Sequence, residues 1–182
     1  MSLGKVVVWV VEGTWPACVD AAGVHAPDAG EIVLLHVTGV DVPGAAHGAF
    51  AGLLGRWHRE RDPGVRLAEL ATAAADQLLR DAAARLGRPC TTTARAGRVE
   101  REVLAVAEDA DLLVVARDGD RRRLGPKSLG PPSRFVVDHA PCPVLLVWPE
   151  TAPDLTTIPP PPQHPPPHHP PHHPPPPHPP QH

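Results

Sequence analysis

The chain alternates short, continuously apolar runs with segments whose apolar residues recur every three or four positions. The runs are Lys5–Val11, Glu31–Val37, Asp111–Ala116 and Val144–Trp148, with a weaker, Thr-rich one at Thr91–Ala96. A strand that is apolar at nearly every position has no solvent face. It must be covered on both sides, which is the condition of a parallel sheet flanked by helices. Strict alternation of strand and helix implies right-handed crossovers, so the predicted fold class is α/β: a five-stranded, doubly wound parallel sheet.

The connecting segments fit that frame. Glu12-Gly13-Thr14 reads as a turn, and Pro16 suits the first turn of a helix running to about His25. Ala45–Leu54 reads as a short helix weakened by Gly48 and Gly52, and Arg56–Asp62 as a charged, exposed stretch. Leu67, Leu70, Ala74, Leu78, Ala82 and Leu86 form one apolar stripe, which Gly87 ends. Gly97 opens a helix with Val99, Val103, Val106 and Ala110 on one face, and Ser133–His139 is a short last helix.

Beyond Ile158 the pattern stops. Residues 159–182 hold 15 of the 27 prolines and seven of the 12 histidines. Such a segment favours polyproline II and has nothing with which to build a core. The division is therefore a domain over residues 1–150 and a disordered Pro/His-rich tail over 151–182. With no Tyr and only two Phe, the core must be aliphatic. Imidazoles at His164, His168, His169, His172, His173 and His178 offer weak, multivalent metal binding without the spacing of a defined site. A net charge of -3 argues against a nucleic-acid binder. Cys18, Cys90 and Cys142 lack metal-ligand spacing and fit a reduced compartment. No run reaches the roughly 20 apolar residues of a membrane span. The expected location is cytoplasmic.

The candidate site follows the fourth strand. Asp118 to Gly130 is a loop rich in glycine and arginine, and a helix begins just after it. In a doubly wound sheet this places backbone amides and a helix N-terminus at the carboxyl edge, where phosphates are bound. Arg121, Arg122, Arg123 and Lys127 can supply charge-assisted contacts, and Ser128 and Ser133 hydroxyls. The arginine cluster reads equally well as a solvated loop. Gly119–Ser128 is no P-loop: five residues separate its glycines, and Pro126 intervenes before Lys127. With no paired carboxylates, triad or metal quartet in the domain, no dedicated enzyme site is expected, and at most weak ATP hydrolysis.

Several of these segments resemble the universal stress protein family. Val11-Glu12-Gly13-Thr14 looks like its Val-Asp-Gly-Ser turn, Leu34–Val37 like its second strand, and Ala110–Val115 like its Ala-Asp-Leu-Ile-Val strand. Gly130–Val147, containing His139-Ala-Pro-Cys-Pro-Val144, is close to its closing helix and strand. The resemblance spans residues 4–149. It implies an adenine-nucleotide-alpha-hydrolase-like sheet, a cytoplasmic stress-response role, and ATP as a regulatory ligand. Glu12, Gly13, Thr14 and Val37 would face the adenosine, and Gly119, Gly130, Ser133 and the arginine loop the phosphates.

The family's nucleotide-binding loop places Gly ten residues before its last Gly, which a Ser or Thr then follows. Here Gly130 is kept, the earlier position falls on Asp120 with Gly119 one residue off, and Pro131 replaces the Ser or Thr. Pro131 and Pro132 remove two backbone donors. A nucleotide-free dimeric interaction protein is therefore the alternative, and metal binding by the tail a weaker one. The resemblance also implies a homodimer through Val144–Trp148, because an apolar strand at a sheet edge invites pairing. The competing possibility is an edge covered by the chain's own tail.

Overall fold

The computed structural model describes residues 3–39 and 63–160. The expected helix at Ala45–Leu54, the charged stretch at Arg56–Asp62 and the tail histidines lie outside the described residues. Five strands form one parallel sheet: β1 (Lys5–Trp9), β2 (Glu31–Gly39), β3 (Thr91–Gly97), β4 (Leu112–Ala116) and β5 (Val144–Val147), in the order β3-β2-β1-β4-β5. Val7 pairs with Val33 on one side and Leu113 on the other, and Leu113 in turn with Val144.

The helices are α1 (Trp15–His25), α2 (Pro63–Leu86), α3 (Val99–Ala107) and α4 (Pro131–His139). The period-two geometry of the strands sorts their side chains into two cores. Val6, Val8, Val10, Ile32, Leu34 and Val114 meet Cys18, Val19 and Ala22 of α1 and Leu79 and Ala82 of α2. Val7, Trp9, Val33, Leu35, Leu113 and Val115 meet Val103 and Ala107 of α3 and Val136 of α4. Helices thus cover both faces, as the unbroken apolar runs require. Each fully buried Val or Leu contributes about 1.5–3 kcal/mol.

The C-terminal half of the expected α2 stripe meets the core at Leu78, Ala82 and Leu86, and its N-terminal half departs. Ala75, Leu79 and Ala82 are buried, whereas Leu70 is 67% exposed and Ala74 is also exposed. Arg88 secures the α1–β2 turn by donating to the carbonyls of Ala26 (3.1 Å), Pro27 (2.6 Å) and Ala29 (3.0 Å). Arg85 makes a bidentate pair with Asp20 at the α1–α2 contact, and this partner holds the Asp20 carboxyl below its ordinary pKa. Both edge strands stay partly open. β3 is mostly exposed, and every residue of β5 is half-buried.

Candidate functional site

Strand order locates the site. β1 connects toward β2, and β4 lies on its other side, so the crevice beyond the carboxyl ends of β1 and β4 is the switch point of the sheet. The turn after β1 and the loop after β4 converge there.

The first turn is compact. Val11 O accepts from Thr14 N (3.1 Å), Trp15 N (2.9 Å) and Thr14 Oγ1 (3.3 Å), which buries Thr14 and starts α1. Gly13 has φ +79°, a conformation that other residues adopt only with strain. Glu12 is exposed and lines a depression of about 420 Å³ with His36, Thr38, Ala75 and Leu78. His36 Nδ1 donates to Val10 O at 2.9 Å, which fixes the ring proton on Nδ1. The Val37 side chain is buried in the α3-side core.

The second loop is closed on itself. Gly119 N donates to Ser128 O (2.9 Å) and Asp120 N to Lys127 O (2.8 Å). A Cβ on Gly119 would stand 2.4 Å from Lys127 O, so glycine is required by close approach of backbone to backbone. Arg117 leaves β4 with its guanidinium over the Trp148 ring, 4.7 Å from the centroid, and donates to Ser128 Oγ. Ser128 Oγ donates onward to Gly125 O at 2.6 Å. Ser128 is therefore fully buried inside the loop, not presented at its mouth. Burial lowers the pKa of Arg117 from the ordinary arginine value and leaves its Nε without a hydrogen-bond partner.

Gly119, Gly130, Ser133, Arg121 and Arg123, among the expected phosphate contacts, already have partners within the chain. Gly130, at the N-cap of α4, donates its N–H to Asp118 Oδ1 at 2.7 Å, and Ser133 Oγ donates to Asp118 Oδ2 at 2.8 Å. Arg121 Nη1 lies 3.3 Å from Glu150 Oε1, off the line of a hydrogen bond, so the contact is an ion pair. Arg123 Nε is 3.5 Å from Asp120 Oδ2, and Arg122 N donates to Asp120 Oδ1 at 3.1 Å. Lys127 faces another depression, along the outer side of α4, with Leu129, Pro131 and Phe135. After β5 the chain returns over this loop, and Leu124 N donates to Thr157 Oγ1 at 3.0 Å.

The universal stress protein family model matches residues 6–147, from β1 through β5. The chain belongs to the universal stress protein family. No curated protein sequence matches it. Several solved structures share the fold. One is the universal stress protein UspA of Lactobacillus plantarum, 20% identical, covering 81% of this chain and 99% of its own at a TM-score of 0.52. Another is a universal stress protein in complex with cAMP, 19% identical over 82% of this chain and all of its own, TM-score 0.50. A third is the protein MJ0577, 18% identical over 81% and 97%, TM-score 0.58.

The structure places Gly119 and Arg121–Arg123 on the loop after β4, Gly130 and Ser133 at the start of α4, and Glu12, Gly13 and Thr14 on the turn after the neighbouring strand β1. Sequence reasoning misses Asp118, Arg117, Trp148, Glu150 and Thr157. Asp118 carries no local signal, because a capping carboxylate is normally sought at the N-cap itself. Among the described residues, no helix is long and apolar enough to cross a membrane and no metal-ligating cluster occurs.

Proposed function

We propose that this universal stress protein is a cytoplasmic stress-response module that binds an adenine nucleotide, ATP in the first instance, as a regulatory ligand. The observation that carries the proposal is the placement of the Gly13 turn and the Gly119–Ser133 segment after the carboxyl ends of the adjacent strands β1 and β4, at the switch point. There a helix N-terminal amide and a serine hydroxyl already hold an anionic group, Asp118. The related protein in complex with cAMP supports the ligand class. Glu12, Gly13, Thr14 and the end of β2 at Val37 would take the nucleoside. Gly119, Gly130, Ser133 and the cations Arg121, Arg122, Arg123 and Lys127 would take the phosphates. Residues 1–150 form the stress-protein unit in this proposal, and 151–182 the appended segment.

The test is to denature the purified chain, assay the released nucleotide by chromatography, and titrate the native chain with Mg-ATP by calorimetry. Near-stoichiometric nucleotide, or binding that Gly130→Val weakens, supports the proposal. A folded chain with neither refutes it.

A second function is favoured by two specific observations. Asp118 stands at the helix terminus, and β5 is half-buried along its whole length. A nucleotide-free homodimer, pairing through the strand at Val144 to Trp148, would use the same fold as an interaction protein. Sedimentation of the chain separates the two: a dimer that carries no nucleotide supports this second function.

A further inference from the structure

Asp118 is more than a loop carboxylate. Both its oxygens are engaged, one by the Gly130 amide and one by the buried Ser133 hydroxyl. Pro131 and Pro132 have no N–H. Asp118 thus takes the Gly130 amide and the first side-chain hydroxyl of α4, two of the three donors that the N-cap and first turn present, the third being the Ser133 amide. A Cβ on Gly130 would lie 3.0 and 3.1 Å from the two carboxylate oxygens, while its φ of −66° is one that any residue adopts. Glycine at 130 therefore serves the close approach of this carboxylate. Two of the four cations follow the same pattern, with Glu150 on Arg121 and Asp120 on Arg123. The loop amides do too: those of Gly119, Asp120, Arg122 and Leu124 are all bonded within the chain.

We infer that Asp118 is a specificity-determining residue that occupies the place of a ligand phosphate, so that a phosphate chain at the N-terminus of α4 competes with it for the Gly130 amide and the Ser133 hydroxyl. The inference rests on the adenine-nucleotide proposal for its ligand class, and it ranks the ligands of the resting protein. A nucleoside enters without competing with Asp118. ATP must break two charge-assisted hydrogen bonds and bring its phosphates beside Asp118, Asp120 and Glu150.

The experiment uses the full chain, Asp118→Ser and Asp118→Asn, with three probes: sodium tripolyphosphate, Mg-ATP and adenosine. Calorimetry gives affinities, and the Gly130 amide resonance reports the helix terminus directly. Expected are a Gly130 resonance in the native chain unmoved by millimolar tripolyphosphate, and a saturable shift in Asp118→Ser, with binding roughly tenfold or more tighter. Mg-ATP affinity should rise by a similar factor, and adenosine affinity should change less than about twofold, since the nucleoside makes no contact with the capped terminus.

Gain of tripolyphosphate binding without adenosine binding in any form upholds the role of Asp118 and refutes the adenine site. Equal binding of Mg-ATP to the native chain and to Asp118→Ser upholds the nucleotide site and overturns the role of Asp118. No tripolyphosphate binding by a folded Asp118→Ser also overturns it. Should Asp118→Ser fail to fold, Asp118→Asn decides. It keeps an acceptor for the Gly130 amide, loses the charge, and must show a smaller gain. No gain in that variant overturns the inference.

Discussion

Gly119 and Gly13 flank the same crevice but are glycines for different reasons, and substitution separates them. At Gly119 an alanine Cβ would lie 2.4 Å from Lys127 O and 2.9 Å from the carbonyl carbons of Ser128 and Leu129. All three are backbone atoms, so no rotamer change relieves the overlap. The 127–129 strip must move out by roughly an ångström, a shift of the kind that costs about 1–3 kcal/mol when a packed site is overfilled. The shift also breaks the bonds from Gly119 N to Ser128 O and from Asp120 N to Lys127 O, each worth about 1 kcal/mol. Because moving the strip relieves the overlap, these costs overlap in turn, and the expected loss for Gly119→Ala is about 2–4 kcal/mol. For a domain of this size, that lowers the melting temperature by roughly 4–16 °C.

At Gly13 nothing lies within 4 Å of the point where a Cβ would stand, and the cost comes from φ +79° alone. Gly13→Ala should lose about 1–2 kcal/mol. Gly13→Asn should lose less, because Asn tolerates the left-handed region. Asn at 119 should be no better than Ala, since the obstacle there is space. Thermal unfolding by circular dichroism ranks the four variants, and hydrogen exchange at the Asp120 amide shows whether the loop opens locally. A Gly119→Ala protein that melts within about 1 °C of the native chain and keeps its Asp120 protection would refute the close-approach argument. So would recovery of stability by Asn at 119.

Three further outcomes follow from other parts of the fold. Burial pushes the Cys18 thiol up to about 12, so its thiolate is negligible near neutral pH; alkylation at pH 8 should label Cys90 and Cys142 first and Cys18 only as fast as the chain unfolds. The stability that Cys18 gains by staying protonated is complete below its ordinary value of 9.0 and declines as pH rises from there toward 12; urea unfolding at pH 8 and 10.5 should show a steeper loss for the native chain than for Cys18→Ala. Arg88→Ala removes three hydrogen bonds to the α1–β2 turn and should cost about 1–3 kcal/mol in a urea titration, with Lys restoring under half, because an ammonium cannot span three carbonyls. If β5 is a dimer edge, Val144→Lys should sediment as a folded monomer where the native chain is a dimer; a native chain that is itself monomeric rules out that edge as an interface.

The sheet is legible in the sequence because four of its five strands are short runs apolar at nearly every position, the pattern of strands covered on both faces, while Thr-rich β3 at the edge is the weaker signal. The helix opposite Leu34 is less so. Residues 68, 71, 73, 74, 75, 82, 83 and 84 are all alanine, so small apolar side chains surround α2 and several stripes fit the spacing. Leucines alone suggest the stripe through Leu70. The sheet meets Ala82 of that stripe, with Leu78 and Leu86 beside it, but Ala75 and Leu79 in place of Leu70 and Ala74.

At the site, composition shows that a loop of mixed charge precedes a helix, and the resemblance to the universal stress protein family is what singles out Gly119 and Gly130 within it. Sequence places Asp120 at the family's earlier glycine position and counts Arg121–Arg123 as charges in favour of phosphate. The fold assigns those charges to one another, Arg123 to Asp120 and Arg121 to Glu150. It gives the helix terminus to Asp118, whose partners stand 12 and 15 residues away. No local spacing encodes such a pairing. It stands beside the contact of the Gly119 and Ser128 backbones, which folds the loop back next to the start of α4. Closure of the loop therefore decides which charges remain for a ligand. That makes the contact at Gly119 and the carboxylate of Asp118 two parts of one device: opening the first should release the second. A Gly119→Ala protein that gains tripolyphosphate binding with Asp118 still in place would establish the link, and one that loosens the loop without any such gain would break it.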